Sequence, residues 1–274
     1  MTAETTPARA GQPNQGRPSP SRARRGKLLR HAVGVAAFLL VWELAARAGL
    51  LPWLPAASAS LARVAELAFD PAFAGDLLST LTAAAAGLPL AVLVAVPIGL
   101  LLGTVPAVEE TTRAIVEFLR PIPSVALIPL ALFFFQPEIN AKVALIVYAA
   151  SWPILINTLY GVRDVDPVAT ETLRSFGFGS AAVIWRVSLP SAAPFIYTGI
   201  RLAASITLIL AISVEYFVGG SGGIGAFLIQ ASTGIGADAM LDVIATLVWA
   251  GLVGLAVNVL LLRAERRLFR WRHA

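Results

Sequence analysis

An all-α, polytopic membrane protein with six spans is the fold class this sequence predicts, and three observations carry it. Of 274 residues, 57% are hydrophobic and only 14% charged, whereas average soluble domains run near ~45–50% and ~25%. A single soluble core of this length cannot hide that surplus, because the buried fraction rises only slowly with chain length. The apolar residues fall in runs of about 20, the helix length that crosses a hydrocarbon core of ~30 Å. Finally, seventeen of the 21 lysines and arginines lie in the two tails and in two loops. Six spans put all of these on one side, as the positive-inside rule requires.

Taken in order, residues 1–30 are rich in Pro, Ser, Gly, Ala and Arg and predict a disordered, basic cytoplasmic tail. The apolar run 32–51 is too long for a secretory signal and predicts an uncleaved first span. Within it, Glu43 and Arg47 stand four apart on one helix face and neutralise each other locally. In the stretch 52–78, Leu61, Val64, Ala65 and Ala68 recur at helical spacing and predict a short helix lying on the outer surface. Further spans are expected over 79–103, 141–160, 195–218 and 241–262. The remaining segment, 121–136, reaches only about 24 Å as helix. Its helix therefore starts earlier, within Ile115–Leu119, or sits inside a bundle. Residues 31–263 make the membrane domain, and 264–274 a basic cytoplasmic tail.

Several function classes fall away. Cysteine is absent, and the only two histidines, His31 and His273, sit at the two ends. Thiolate chemistry, a cysteine-ligated metal and a Ser-His-Asp arrangement are thereby disfavoured. The glycine run 219–225 contains no Lys-Ser/Thr and is not a phosphate cradle, so any nucleotide belongs to another chain.

The loop 161–193 is long enough for two short helices. Asp166 followed by Pro167 is an N-cap with proline at the first helical position. The helix then runs through Val168–Phe176 and ends at Gly177, which adopts the left-handed conformation easily. Ser180 caps a second helix, Ala181–Leu189, and Pro190 stops it. The product is a helical hairpin over 166–190.

Here the sequence resembles a known family. Glu171-Thr172-Leu173, then Gly177, then Val187-Ser188-Leu189-Pro190 match the spacing EAA-x3-G-x9-I-x-LP. That motif marks the membrane subunits of ATP-binding-cassette (ABC) importers, with departures in residue type at Thr172, Leu173 and Val187. Phe118-Leu119-Arg120-Pro121-Ile122-Pro123-Ser124, followed by Ile128-Pro129-Leu130, resembles a stretch of the nitrate/sulfonate/taurine/bicarbonate branch. Trp42-Glu43, Asn157-Thr158, Tyr197 to Arg201, and Glu215 with Gly222-Gly223-Ile224-Gly225 follow in that branch's order.

The resemblance implies the type I ABC importer permease fold, with the hairpin as a coupling helix that docks on a cytoplasmic ATPase. Glu171, Arg174, Ser175, Gly177, Leu189 and Pro190 are the implied coupling residues. It also implies a homodimer in a bacterial inner membrane with both termini cytoplasmic, an external substrate-binding protein, and a small anion such as an aliphatic sulfonate, taurine or nitrate as solute. The chain itself would be no enzyme and hold no cofactor, ATP being bound by the partner. Asn157, Arg201 and Glu215 are candidates for the translocation path, each with a plainer reading. Asn157 can bond between helices, Arg201 can snorkel to the headgroups, and Glu215 can bond to the glycine-rich turn. An ion-gradient-driven secondary transporter is the alternative, but no convincing inverted repeat is found. A membrane enzyme ranks behind both.

Overall fold

The computed structural model describes residues 20–269 except 221, 235 and 236. Met1–Ala57 and Ser58–Ala274 form two compact units. The first contains helix α1, Pro20–Arg47. It begins ten residues ahead of the expected end of the disordered tail, and residues 1–19 of that tail lie outside the described residues. Arg47 pairs with Glu43 at 2.7 Å as the four-residue spacing predicts, and the Trp42 indole donates to the Pro55 carbonyl at 3.0 Å.

The second unit is entirely helical among the described residues. Helix α2, Ala57–Leu67, is the short helix expected in the stretch 52–78. Next comes α3, Pro71–Thr104, started by Asp70, whose carboxylate accepts from the Ala72 N–H at 2.8 Å. Then follow α4, Pro106–Leu119, a 3₁₀ turn over Ser124–Leu127 and α5, Ile128–Phe134. Helix α6, Glu138–Arg163, crosses back. After the hairpin, α9 (Leu189–Val218), α10 (Ile224–Thr233) and α11 (Ala237–Leu268) complete the bundle. Of the expected C-terminal tail, 264–268 continue α11 as helix, and 270–274 lie outside the described residues.

Five described helices are long and apolar enough to cross a membrane, or six if α4 and α5 count as one bent span. That pair corrects the expected continuous helix through 121–136 with a start within Ile115–Leu119. It bends by 80°, because Pro121 and Pro123 lack the N–H groups that would continue α4.

The core is α6 packed between α3 and α9. Along α3, Ala83, Gly87, Ala91, Ala95 and Gly99 recur every four residues and are all buried. Small residues at this spacing let two backbones approach closely where no hydrophobic force drives helices together. A Cβ on Gly99 would come within 2.7 Å of the Thr158 Cβ, and one on Gly199 of α9 within 2.9 Å of the Ile154 Cα.

At the α2 end the bundle is closed by polar groups. Glu215 of α9 is fully buried. Its carboxylate accepts from Thr80 Oγ1 of α3 at 2.8 Å, Lys142 Nζ of α6 at 3.2 Å and the Gly225 N–H of α10 at 3.1 Å. Asp76 takes the Gly223 N–H at 2.7 Å and Thr80 Oγ1 the Ile224 N–H at 3.0 Å. Three consecutive N–H groups opening α10, which no helix can satisfy internally, are thus bonded by side chains of other helices. Gly223 has φ +110°, and any Cβ there would strike the Glu215 carboxylate. On the same end, Arg63 of α2 pairs with Asp242 of α11 at 2.6 Å. Bonding to Asp242 first, and to Glu66 second, raises the pKa of Arg63. The Trp249 indole donates to the Val64 carbonyl at 3.0 Å.

Lys142→Met leaves a buried carboxylate without its cation and is expected to destabilise the purified chain by about 3–5 kcal/mol. Glu215→Gln on the same background recovers part of the loss, as read by denaturant unfolding in detergent. Gly99→Val forces α3 off Thr158 and is expected to cost about 1–3 kcal/mol in the same assay.

Candidate functional site

The hairpin after α6 is built by its caps. Asp166 accepts from the Val168 N–H at 2.9 Å and starts α7, Pro167–Ser175, with proline in its first turn. The end of α7 is closed by two bonds: Gly177 N–H to the Arg174 carbonyl at 2.9 Å, and Phe178 N–H to the Leu173 carbonyl at 3.1 Å. With Gly177 at φ +82°, this is the Schellman arrangement that glycine makes possible. No atom lies within 4 Å of where a Gly177 Cβ would stand, so the glycine is there for its backbone angle and not for space. The Ser175 hydroxyl bonds back to the Glu171 carbonyl at 3.0 Å.

The return limb departs from expectation. Gly179, not Ser180, is the N-cap of α8, Ser180–Val183, and Pro190 does not stop the helix. A π turn over Ile184–Ser188 intervenes, with the Leu189 N–H reaching the Ile184 carbonyl. Proline removes one backbone donor and crowds the carbonyl four residues earlier. Widening the turn by one residue absorbs both effects, so helical structure runs on from Ser180 to Val218. Leu189 packs with Val162, Ala192 and Ile196. Arg186 lies 4.9 Å from the centre of the Phe178 ring and ties the tip to this limb.

The tip is apolar and open to solvent: Phe176 is 78% exposed, Trp185 70% and Val168 67%. Patches of this kind on a rigid support mark interaction surfaces. Glu171 and Arg174 form no ion pair with each other or with any other described residue, against the intrahelical pairing that their spacing allows. Arg174 lines a cleft of about 300 Å³ between the hairpin and the end of α3.

The three residues considered for the path are not brought together. Glu215 belongs to the buried cluster at the α2 end. Arg201 pairs with Glu265 of α11 at 2.9 Å, beside a bond from the Tyr197 hydroxyl to the Leu261 carbonyl at 2.8 Å. The two contacts form a latch between α9 and α11. Asn157 donates to the Pro153 carbonyl at 2.8 Å and lines a cavity of about 390 Å³ with Arg120 and Trp152. Lys142, which the sequence reading did not single out, is buried and only 3% exposed. One lysine among the apolar residues of α6 was the available signal for a buried partner.

Residues 87–272, which include the hairpin and this cavity, match the family model described as "Binding-protein-dependent transport system inner membrane component". The bicarbonate transport system permease protein CmpB of Synechocystis sp. is 30% identical over 86% of this chain and 87% of its own length. The nitrate import permease protein NrtB of the same organism is 27% identical over 85% and 86%. Among solved structures, the inward-facing MetNI methionine ABC transporter superposes with a TM-score of 0.61 at 20% identity, covering 70% of this chain and 94% of that one. An amino acid ABC transporter superposes with a TM-score of 0.59 at 21% identity, over 74% and 97%. The chain belongs to the family of inner membrane components of binding-protein-dependent transport systems, the permeases of ABC importers.

Proposed function

We propose that this chain is the translocating subunit of an ATP-driven importer of a small anion, working as a homodimer in a bacterial inner membrane with both termini cytoplasmic. Separate ATPase subunits grip the α7–α8 hairpin, and an external binding protein delivers the solute at the α2 end. The supporting observation is the hairpin itself. Its turn is fixed by two backbone bonds around a left-handed glycine, and its exposed tip carries Phe176 and Trp185. Its return limb is continuous with α9, so motion imposed on the tip is carried into the bundle. A loose connector would dissipate it.

Glu171, exposed and unpaired, meets polar groups of the ATPase, while Leu189 and Pro190 set the hairpin on α9. The anion class rests on the bicarbonate and nitrate relatives. Sulfonate and taurine belong to the same chemical group of small oxidised anions, and ATP binds only to the partner.

Two variants test the lever. Gly177→Val costs about 1–2 kcal/mol at a positive φ and changes the tip angle without touching a neighbour. The expected outcome is normal insertion and ATP hydrolysis, with ATP-driven uptake of nitrate, bicarbonate or taurine into proteoliposomes lost. Normal uptake by that variant refutes the lever. Trp185→Asp is expected to abolish co-purification of the ATPase while leaving the permease folded. Uptake by the wild type that continues without any ATPase overturns the importer reading and favours a gradient-driven transporter.

A further inference from the structure

The break between α4 and α5 places a lone cation over a cavity. Helix α4 ends at Leu119, whose carbonyl accepts the Tyr148 hydroxyl of α6 at 2.8 Å. Arg120 follows as the C-cap, in helical conformation, and Pro121 and Pro123 turn the chain away before Ser124. Beneath this break lies the cavity of about 390 Å³. Its polar lining comes from Arg120 and Ser124 on the break and from Tyr148, Trp152 and Asn157 on α6, with apolar side chains of α6 and α9 completing it. No carboxylate among the described residues lines it.

The hydrogen-bonding inventory of this wall is one-sided. The Trp152 indole N–H is buried and has no acceptor among the described residues. Asn157 spends one amide hydrogen on the Pro153 carbonyl and keeps the other. Tyr148 is committed to Leu119 and positions the break.

A second cavity, of about 610 Å³, lies toward the hairpin end and shares Arg120 with the first. Its other cations are neutralised, Arg163 by Glu109 and Arg113 by Glu117 at 2.8 Å. Arg120 has no carboxylate within ion-pairing distance among the described residues. One guanidinium, with five donors that cannot be deprotonated, therefore stands unpaired where the two cavities meet.

An unpaired charge beside unspent donors is the complement of an anion. We propose that the cavity under the α4–α5 break is a small-anion site on the transport route, with Arg120 supplying the charge and Ser124, Trp152 and Asn157 the hydrogen bonds. It takes an oxyanion or a short aliphatic sulfonate, whose tail lies against Ile156 and Leu202 of the same wall. The site deepens the importer reading and rests on it for the direction of transport. Trp152 lies about 16 Å along α6 from Arg163, near the middle of that helix.

The chain contains no cysteine, so Ser124→Cys introduces a single thiol into the site of the full-length chain in membranes. Its probes are 2-sulfonatoethyl methanethiosulfonate and the trimethylammonium analogue, each rate being normalised to that with a free thiol in solution. The sulfonate reagent is expected to be favoured by about tenfold, the scale of one charge-assisted bond, with nitrate or taurine slowing its reaction. Arg120→Gln is expected to abolish the preference. Arg120→Lys and Arg113→Gln are expected to keep it, which separates loss of the charge from loss of the fold. Equal reactivity, preference for the cationic reagent, or a preference that survives Arg120→Gln overturns the site. The labelling needs neither ATP nor partner chains. Anion preference without ATP-driven uptake thus counts against the importer alone, and uptake without the preference counts against the site alone.

Discussion

Glu215 is fully buried, and a carboxylate without partners in such surroundings is among the costliest groups a protein can carry. The elements around it are therefore obliged to bring donors, and each brings one: a hydroxyl from α3, an ammonium from α6 and a backbone N–H from α10. The arrangement ties four helices at one end. It also explains the glycine-rich turn, because only a residue without a side chain fits against the carboxylate at Gly223. In the sequence those glycines invite comparison with a phosphate cradle. In the structure the N–H groups of Gly223, Ile224 and Gly225 are already bonded to Asp76, Thr80 and Glu215 respectively.

The opposite end is built from local caps instead of a buried polar cluster. The caps of α7 hold the tip at a set angle, and the π turn lets α9 continue through a proline that would otherwise break it. Hairpin and span thus behave as one rod, packed against α6 along a row of small residues. The cavity under the α4–α5 break is lined by this same pair, α6 and α9. The hairpin and the cavity are accordingly both attached to α6 and α9.

Much of this was legible in the chain. The spans were readable because a bilayer demands about twenty apolar residues regardless of what surrounds them. The hairpin was readable because Asp166-Pro167 and Gly177 are local devices whose geometry depends on their neighbours in sequence. Readings that depended on distant partners went differently. Arg201 found Glu265, 64 residues away, and Lys142 found Glu215, 73 residues away. Pro190 looked like a terminator because the next turn's adjustment is invisible in a residue pattern. The short segment 121–136 was recognised as anomalous, but its 80° bend was not.

The sequence by itself determined that this chain is helical, that it is built for a membrane, and that a capped hairpin interrupts its spans. Hydropathy, capping and glycine conformation act within a few residues, so no folded neighbour is needed to read them. Only the tertiary structure decided which charges are paired, where the third crossing breaks, and that Arg120 lines two cavities with no counter-charge among the described residues. These are matters of position between helices distant in sequence, set by how closely the small faces of α3, α6 and α9 allow the backbones to approach.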